Sequence, residues 1–223
     1  MPIDGAAGRA YRRSMNHGDR DGAAAGLEVR GLTSGVVRGC SFSLPPGTGI
    51  ALSGPSGSGK TSLFRALADL DPNEGDVTLD GQSRESMKPG DWRRRVAYVP
   101  AEPAWWLPHA GDHLDEAGRA GAGRLGLDAK LFRKPSNTLS TGERQRLAMA
   151  MTFAREPQVL LLDEPTSALD EENRDRVEAL IRERLDRGAS VLMTSHDPKQ
   201  IERLGFPVMR IAEGRITPPD ATP

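Results

Sequence analysis

Cysteine, aromatic side chains and any excess of one charge are scarce in this chain of 223 residues. A single cysteine, Cys40, excludes an internal disulfide and a multi-cysteine metal site, and the expected role is a small buried strand residue. No apolar run approaches the roughly 20 residues that cross a bilayer, and the first 26 residues hold no apolar leader core. Neither a membrane helix nor a secretory signal is expected, and the expected compartment is the cytoplasm. With 30 basic and 31 acidic residues the net charge is -1, so nothing electrostatic argues for nucleic acid or an anionic membrane surface as a direct partner. Aromatics make up 4% of the chain, and none falls between Arg12 and Ser41.

What the chain does contain is an alternation of strand-like and helical runs. Residues 1–26, rich in Gly, Ala, Arg and Asp, read as an arm outside the fold, and residues 218–223 read as a similar tail. Between them, strands are expected near 27–32, 48–53, 75–80, 95–99, 158–163, 189–194 and 206–212, several separated by helical patterns, which is an α/β layered arrangement. Val159-Leu160-Leu161-Leu162 is apolar without alternation, as in a parallel strand covered on both faces. From Asn173 to Leu185, Val177, Leu180, Ile181 and Leu185 share one helical face, which predicts a surface helix on the sheet. Glu102 to about Thr138 has no strand character, and with the helical run after it predicts a helical insertion over about 102–150 in a domain of 27–217.

Two motifs carry chemistry. Gly54-Pro55-Ser56-Gly57-Ser58-Gly59-Lys60-Thr61, followed by Ser62, fits the phosphate-loop pattern between an apolar strand and a helix. Glycines let backbone N–H groups converge on an anion, and the helix N-terminus adds partial positive charge. Lys60 is expected to reach the β- and γ-phosphates and Thr61 to offer its hydroxyl to Mg²⁺; the alternative is a plain strand-to-helix turn. In Gln158-Val159-Leu160-Leu161-Leu162-Asp163-Glu164-Pro165, two carboxylates follow a buried strand, where crevices of open α/β sheets lie. Asp163 is the natural Mg²⁺ ligand, and Glu164 is then free to polarise an attacking water. Unpaired with a phosphate loop, the same carboxylates would be a charged strand end in solvent.

Together with Leu139-Ser140-Thr141-Gly142-Glu143, Ser167-Ala168-Leu169-Asp170 and Thr194-Ser195-His196-Asp197, these motifs resemble, in order, the nucleotide-binding subunit of an ATP-binding-cassette (ABC) transporter. The resemblance covers roughly 27–217. It implies a P-loop NTPase of ABC type: a mostly parallel sheet flanked by helices, an antiparallel β subdomain and a small inserted helical subdomain. It implies ATP and Mg²⁺ as cofactors, and a homodimer or cassette heterodimer in the ATP-bound state. In that dimer Ser140 and the main chain of Gly142 meet the γ-phosphate held by the other subunit, and Asp170 crosses the interface. His196 is implied to hydrogen-bond the γ-phosphate and align Glu164 with water, whereas His17, His109 and His113 are read as structural. On the signature helix, Leu147, Met151 and Ala154 are expected to form the packing face, with Arg144 and Arg146 polar. The partner is an integral membrane permease, which would place the chain peripherally on the inner face of the plasma membrane.

Three features depart from the family. Ala101 stands where a glutamine is usual, and an alanine ligates no metal; Glu102 either substitutes as a ligand if the loop shifts register or is a solvated charge. No aromatic residue is available to stack on adenine, so an aliphatic contact from around Leu32 to Val37 is expected, with modest ATP affinity and weak discrimination against GTP. Trp105 and Trp106 either receive a helix of the membrane subunit or fill the core of the insertion. The readings that compete with a transporter ATPase are a soluble ABC ATPase without transport and a nucleotide-binding regulatory module with low turnover.

Overall fold

The computed structural model describes residues 26–217; the expected arm and tail fall outside the described residues, except for Gly26. The strands are β1 Leu27–Ser34, β2 Val37–Leu44, β3 Gly49–Ser53, β4 Glu74–Leu79, β5 Gln82–Ser83, β6 Val96–Val99, β7 Val159–Leu162, β8 Ser190–Thr194, β9 Val208–Ala212 and β10 Arg215–Thr217. The α-helices are α1 Lys60–Leu67, α2 Pro89–Arg95, α3 Glu116–Arg124, α4 Thr141–Ala154, α5 Glu171–Asp186 and α6 Pro198–Leu204. Short 3₁₀ turns at Ala110–His113, Ala129–Arg133 and Ser136–Thr138 connect β6 to α4 with no strand among them.

Two sheets form. One is antiparallel, in the order β2-β1-β4-β5; the other runs β10-β9-β3-β8-β7-β6, parallel from β9 to β6, with β10 antiparallel at its edge. Because strand side chains alternate in direction, each parallel strand supplies both faces of the larger sheet. Val159, Leu161, Leu52 and Leu192 join one core with α1, Trp92 and the antiparallel sheet. Leu160, Leu162, Ala51, Val191 and Met193 join a second core with α4, α5 and the helical segment. All four β7 side chains are fully buried, which is why that strand shows no polar alternation in sequence. The indole N–H of Trp92 donates to the Leu67 carbonyl at 2.8 Å, satisfying its polar group inside the first core.

β2 and β10 were not anticipated. β2 carries only scattered buried positions, Val37, Cys40 and Leu44, because its register with β1 shifts twice, which breaks a two-residue period. Cys40 is buried there. α5 begins two residues earlier than its apolar pattern, at Glu171, because Asp170 caps it; Val177, Leu180 and Ile181 are buried, and Leu185 packs partly against the same core.

α4 also buries a wider surface than expected. Leu147 is fully buried, but Gln145, Met149, Ala150 and Phe153 are the other buried positions, while Met151 and Ala154 are partly exposed. The helix lies against both α3 and β6, so more than one stripe is covered.

Candidate nucleotide site

β3, β8 and β7 are neighbours and parallel, so their carboxyl ends open on one edge. The register sets Leu52 beside Thr194 and Leu162 beside Met193. Residues 54–61, 163–164 and 195–196, far apart in sequence, therefore leave the sheet side by side, where open α/β sheets bind ligands.

The glycine loop wraps the start of α1. Gly59 caps that helix at φ 108°, a conformation that a side chain would strain, and so turns the chain directly into the first helical turn. Ser58 Oγ is buried in the loop against Gly54 with no hydrogen-bond partner among the described residues. Lys60 Nζ donates to the carbonyls of Gly54 at 2.7 Å and Pro55 at 3.1 Å, which folds the ammonium over the loop with one proton to spare. Pro55, Ser56 and Gly57 are exposed along the outer rim, and Ser62 sits half-buried in the first turn of α1.

Asp163 is 5% exposed and accepts from three hydroxyls. Thr61 Oγ1 donates to Oδ2 at 2.7 Å, Tyr98 Oη to Oδ2 at 3.2 Å, and Thr194 Oγ1 to Oδ1 at 2.7 Å. Burial, and then the Asp163 charge, hold the Tyr98 phenol well above its ordinary value, so it stays a donor. Among the described residues no three His, Cys, Asp or Glu side chains cluster as a metal cage. Thr61 and Asp163 nonetheless fit Mg²⁺, a hard cation that takes one or two protein oxygens and fills its shell with phosphate and water.

Glu164 follows in a left-handed conformation, φ 51°. Its N–H donates to Thr194 Oγ1 at 2.8 Å, and its carbonyl accepts from Gln145 Nε2 and Ser167 Oγ. His196 Nε2 stands 3.2 Å from Oε1, but this oxygen has no aligned donor. Burial raises the Glu164 pKa above the usual glutamate value, and the His196 charge and backbone work against it. A raised carboxylate with an unclaimed oxygen is the chemistry of a general base.

Ser140 and Gly142 stand on α4, and among the described residues no hydrogen bond joins them to the glycine loop. Ser140 Oγ accepts from the Glu143 N–H at 3.2 Å and the Glu143 carboxylate accepts from the Ser140 N–H at 2.8 Å, a reciprocal cap that leaves the hydroxyl proton free to donate. A side chain at Gly142 would meet the Ala168 carbonyl at 2.9 Å, so the absent Cβ lets α4 pack on the 166–169 turn. Asp170 caps α5: its carboxylate accepts from the N–H and the amide of Asn173, and that backbone bond first of all lowers its pKa.

Sequence reasoning overlooked Tyr98, Thr194 and Gln145; the only signal for them was a polar residue ending or interrupting an apolar run. Glu102 is exposed and in no hydrogen bond or ion pair among the described residues, and Ala101 is half-buried. Leu32 and Val37 are fully buried, whereas Val36 is 48% exposed with Cγ2 against Gly59, so it is Val36 that presents apolar surface beside the loop. Trp105 packs on the second core; Trp106 is 75% exposed, and both meet the His113 ring edge-on. His113 accepts from the Leu107 N–H at 3.1 Å and His109 contacts Asp112, while His17 lies outside the described residues.

The family model described as ABC transporter matches residues 37–167. Protein STAR1 of Oryza sativa subsp. japonica is 36% identical over 217 residues, taking in 87% of this chain and 63% of that protein, so the chain spans less than two thirds of that relative. Lipoprotein-releasing system ATP-binding protein LolD of Maricaulis maris is 36% identical over 208 residues, 82% of this chain and 88% of that protein. A solved dimeric ATP-binding cassette in a post-hydrolysis state bound to ADP and Pi shares the fold, with TM-score 0.75 at 21% identity over 86% of this chain and 97% of that one.

Proposed function

Since the chain belongs to the ABC transporter family, we propose that it is the ATP-binding and ATP-hydrolysing subunit of a transporter, closing as a homodimer or cassette heterodimer around two ATP·Mg²⁺ to drive a separate permease. The observation that carries this is the meeting of Thr61 with Asp163, and of His196 with Glu164, at the ends of three adjacent parallel strands.

Lys60 and the loop N–H groups bind and orient the phosphates. Thr61 and Asp163 would hold Mg²⁺, which would supply neutralising charge to the phosphates. Glu164 takes the proton from the attacking water, and the exposed His196 ring keeps that water in line. From a second chain, Ser140 donates its free hydroxyl proton to the γ-phosphate while the first N–H groups of α4 face it, so the nucleotide joins the two copies. No helix among the described residues is long and apolar enough to cross a membrane, and the permease would hold the chain at the inner face of the plasma membrane, with the exposed Trp106 as an anchor.

Phosphate release from Mg·ATP tests the reading. The wild-type chain is expected to turn over, Glu164→Gln to lose about 10²- to 10⁴-fold, and Lys60→Ala to lose nucleotide binding. Tight ATP binding with no phosphate released by the wild type, alone or with its permease, would instead make this the low-turnover regulatory module that Ala101 favours.

A further inference from the structure

We infer that Gln145 is a positioning residue for hydrolysis, whose side-chain amide fixes the backbone of Glu164 and so ties that carboxylate to the helix that begins at Ser140. The inference rests on Glu164 being the base.

Gln145 is fully buried in the second turn of α4. Its Nε2 donates to the Glu164 carbonyl, while its Oε1 is buried with no partner. A half-satisfied buried amide is a poor way to fill space, since an aliphatic side chain of the same length would leave nothing unpaired. Packing therefore does not account for a glutamine here; the bond to Glu164 does.

Glu164 needs such a bond. It carries a Cβ in the left-handed region, which persists only where its surroundings hold it. Three elements do so: β8 accepts from its N–H through Thr194 at 2.8 Å, the turn after it returns the N–H of Ser167 to its carbonyl at 3.3 Å, and α4 reaches the same carbonyl through Gln145. Of these three, α4 is the element headed by Ser140, which under the proposed function reaches the phosphate of a second chain. Ser140 lies five residues before Gln145, about 7.5 Å along the helix axis, and the close contact of Gly142 with Ala168 makes α4 and the turn a single packed unit. A shift of α4 as Ser140 engages phosphate in the opposite site is thus passed to the carbonyl of Glu164. Each base is set by the nucleotide across the dimer.

Gln145→Met keeps the length, removes the donor and removes the orphaned oxygen. The expected result is a Tm that does not fall, kcat for Mg·ATP lowered about tenfold or more, KM for ATP within about twofold, and faster backbone hydrogen exchange confined to residues 164–167. Gln145→Glu, which cannot donate when ionised, is expected to lower kcat in the same way. Unchanged kcat with unchanged exchange at 164–167 would overturn the inference, as would a loss of kcat that tracks a lower Tm and faster exchange throughout the chain. If the wild type hydrolyses no ATP, the functional reading fails, and exchange at 164–167 still decides whether Gln145 clamps Glu164.

Discussion

At the ends of β3, β7 and β8 both Asp163 oxygens are held by hydroxyls and Glu164 is held through its backbone, whereas at the head of α4 the working groups sit at an exposed helix end with one local cap. Asp163 is buried and receives three hydroxyls from three elements. Ser140 is exposed, and its Glu143 cap is backed by Lys134 at 2.9 Å, an ion pair in solvent. The first arrangement is preorganised and expensive to disturb; the second yields easily and suits a surface that must meet and leave a partner. Substitutions at the strand ends should therefore affect turnover far more than those of rim residues that meet no phosphate.

Among residues that only hold a working group, the largest effect is expected at Thr194. Thr194→Val keeps the volume but removes the hydroxyl shared by Asp163 and the Glu164 N–H, and kcat should fall about 10- to 100-fold with a higher Mg²⁺ requirement. A magnesium titration of the variant that overlays the wild type would remove Thr194 from the account.

A pH effect comes next. Because burial raises the Glu164 pKa, the acid limb of kcat/KM should lie above the ordinary glutamate value of about 4.3. His196 opposes that shift, so His196→Gln should move the limb to still higher pH, besides lowering the rate. The same shift has a stability side. A raised folded pKa means that the ionised form weakens the fold above that pKa, so Glu164→Gln should raise Tm at neutral and alkaline pH, with the gain vanishing as pH falls through the folded pKa. A gain that grew towards acid would contradict the sign.

Smaller effects belong to the rim. Val36→Tyr puts an aromatic face beside the loop and should tighten ATP binding about 2- to 12-fold, the equivalent of about 0.5–1.5 kcal/mol, and sharpen preference over GTP; equal titrations of both nucleotides check this. Glu102→Ala should leave ATPase activity and Mg²⁺ dependence unchanged, since its side chain is exposed and unpaired among the described residues.

The contrast also explains what could be read from the chain. The glycine loop and the Asp163-Glu164 pair announce themselves because strand, motif and helix are contiguous, and their chemistry needs those residue types at that spacing. The apolar run of β7 likewise reveals a strand covered on both faces. Tyr98, Thr194 and Gln145 stayed hidden because their partners come from other strands and helices: Thr194 reads as the polar end of a strand, and Gln145 as one more polar residue in Glu143-Arg144-Gln145-Arg146. Asp170 also has a local use. Its carboxylate is engaged by Asn173 at the head of α5, a use that its place in the motif did not foretell. β2 was missed because two register shifts erase the alternation that marks a strand.

The central claim is that nucleotide held at Lys60 of one chain is completed by Ser140 of another. Sedimentation of Glu164→Gln saturated with Mg·ATP tests it most directly: the account predicts a dimer that dissociates when nucleotide is removed and fails to form when Ser140 is also changed to Ala. A protein that stays monomeric at saturating nucleotide, both free and assembled with its permease, would contradict it.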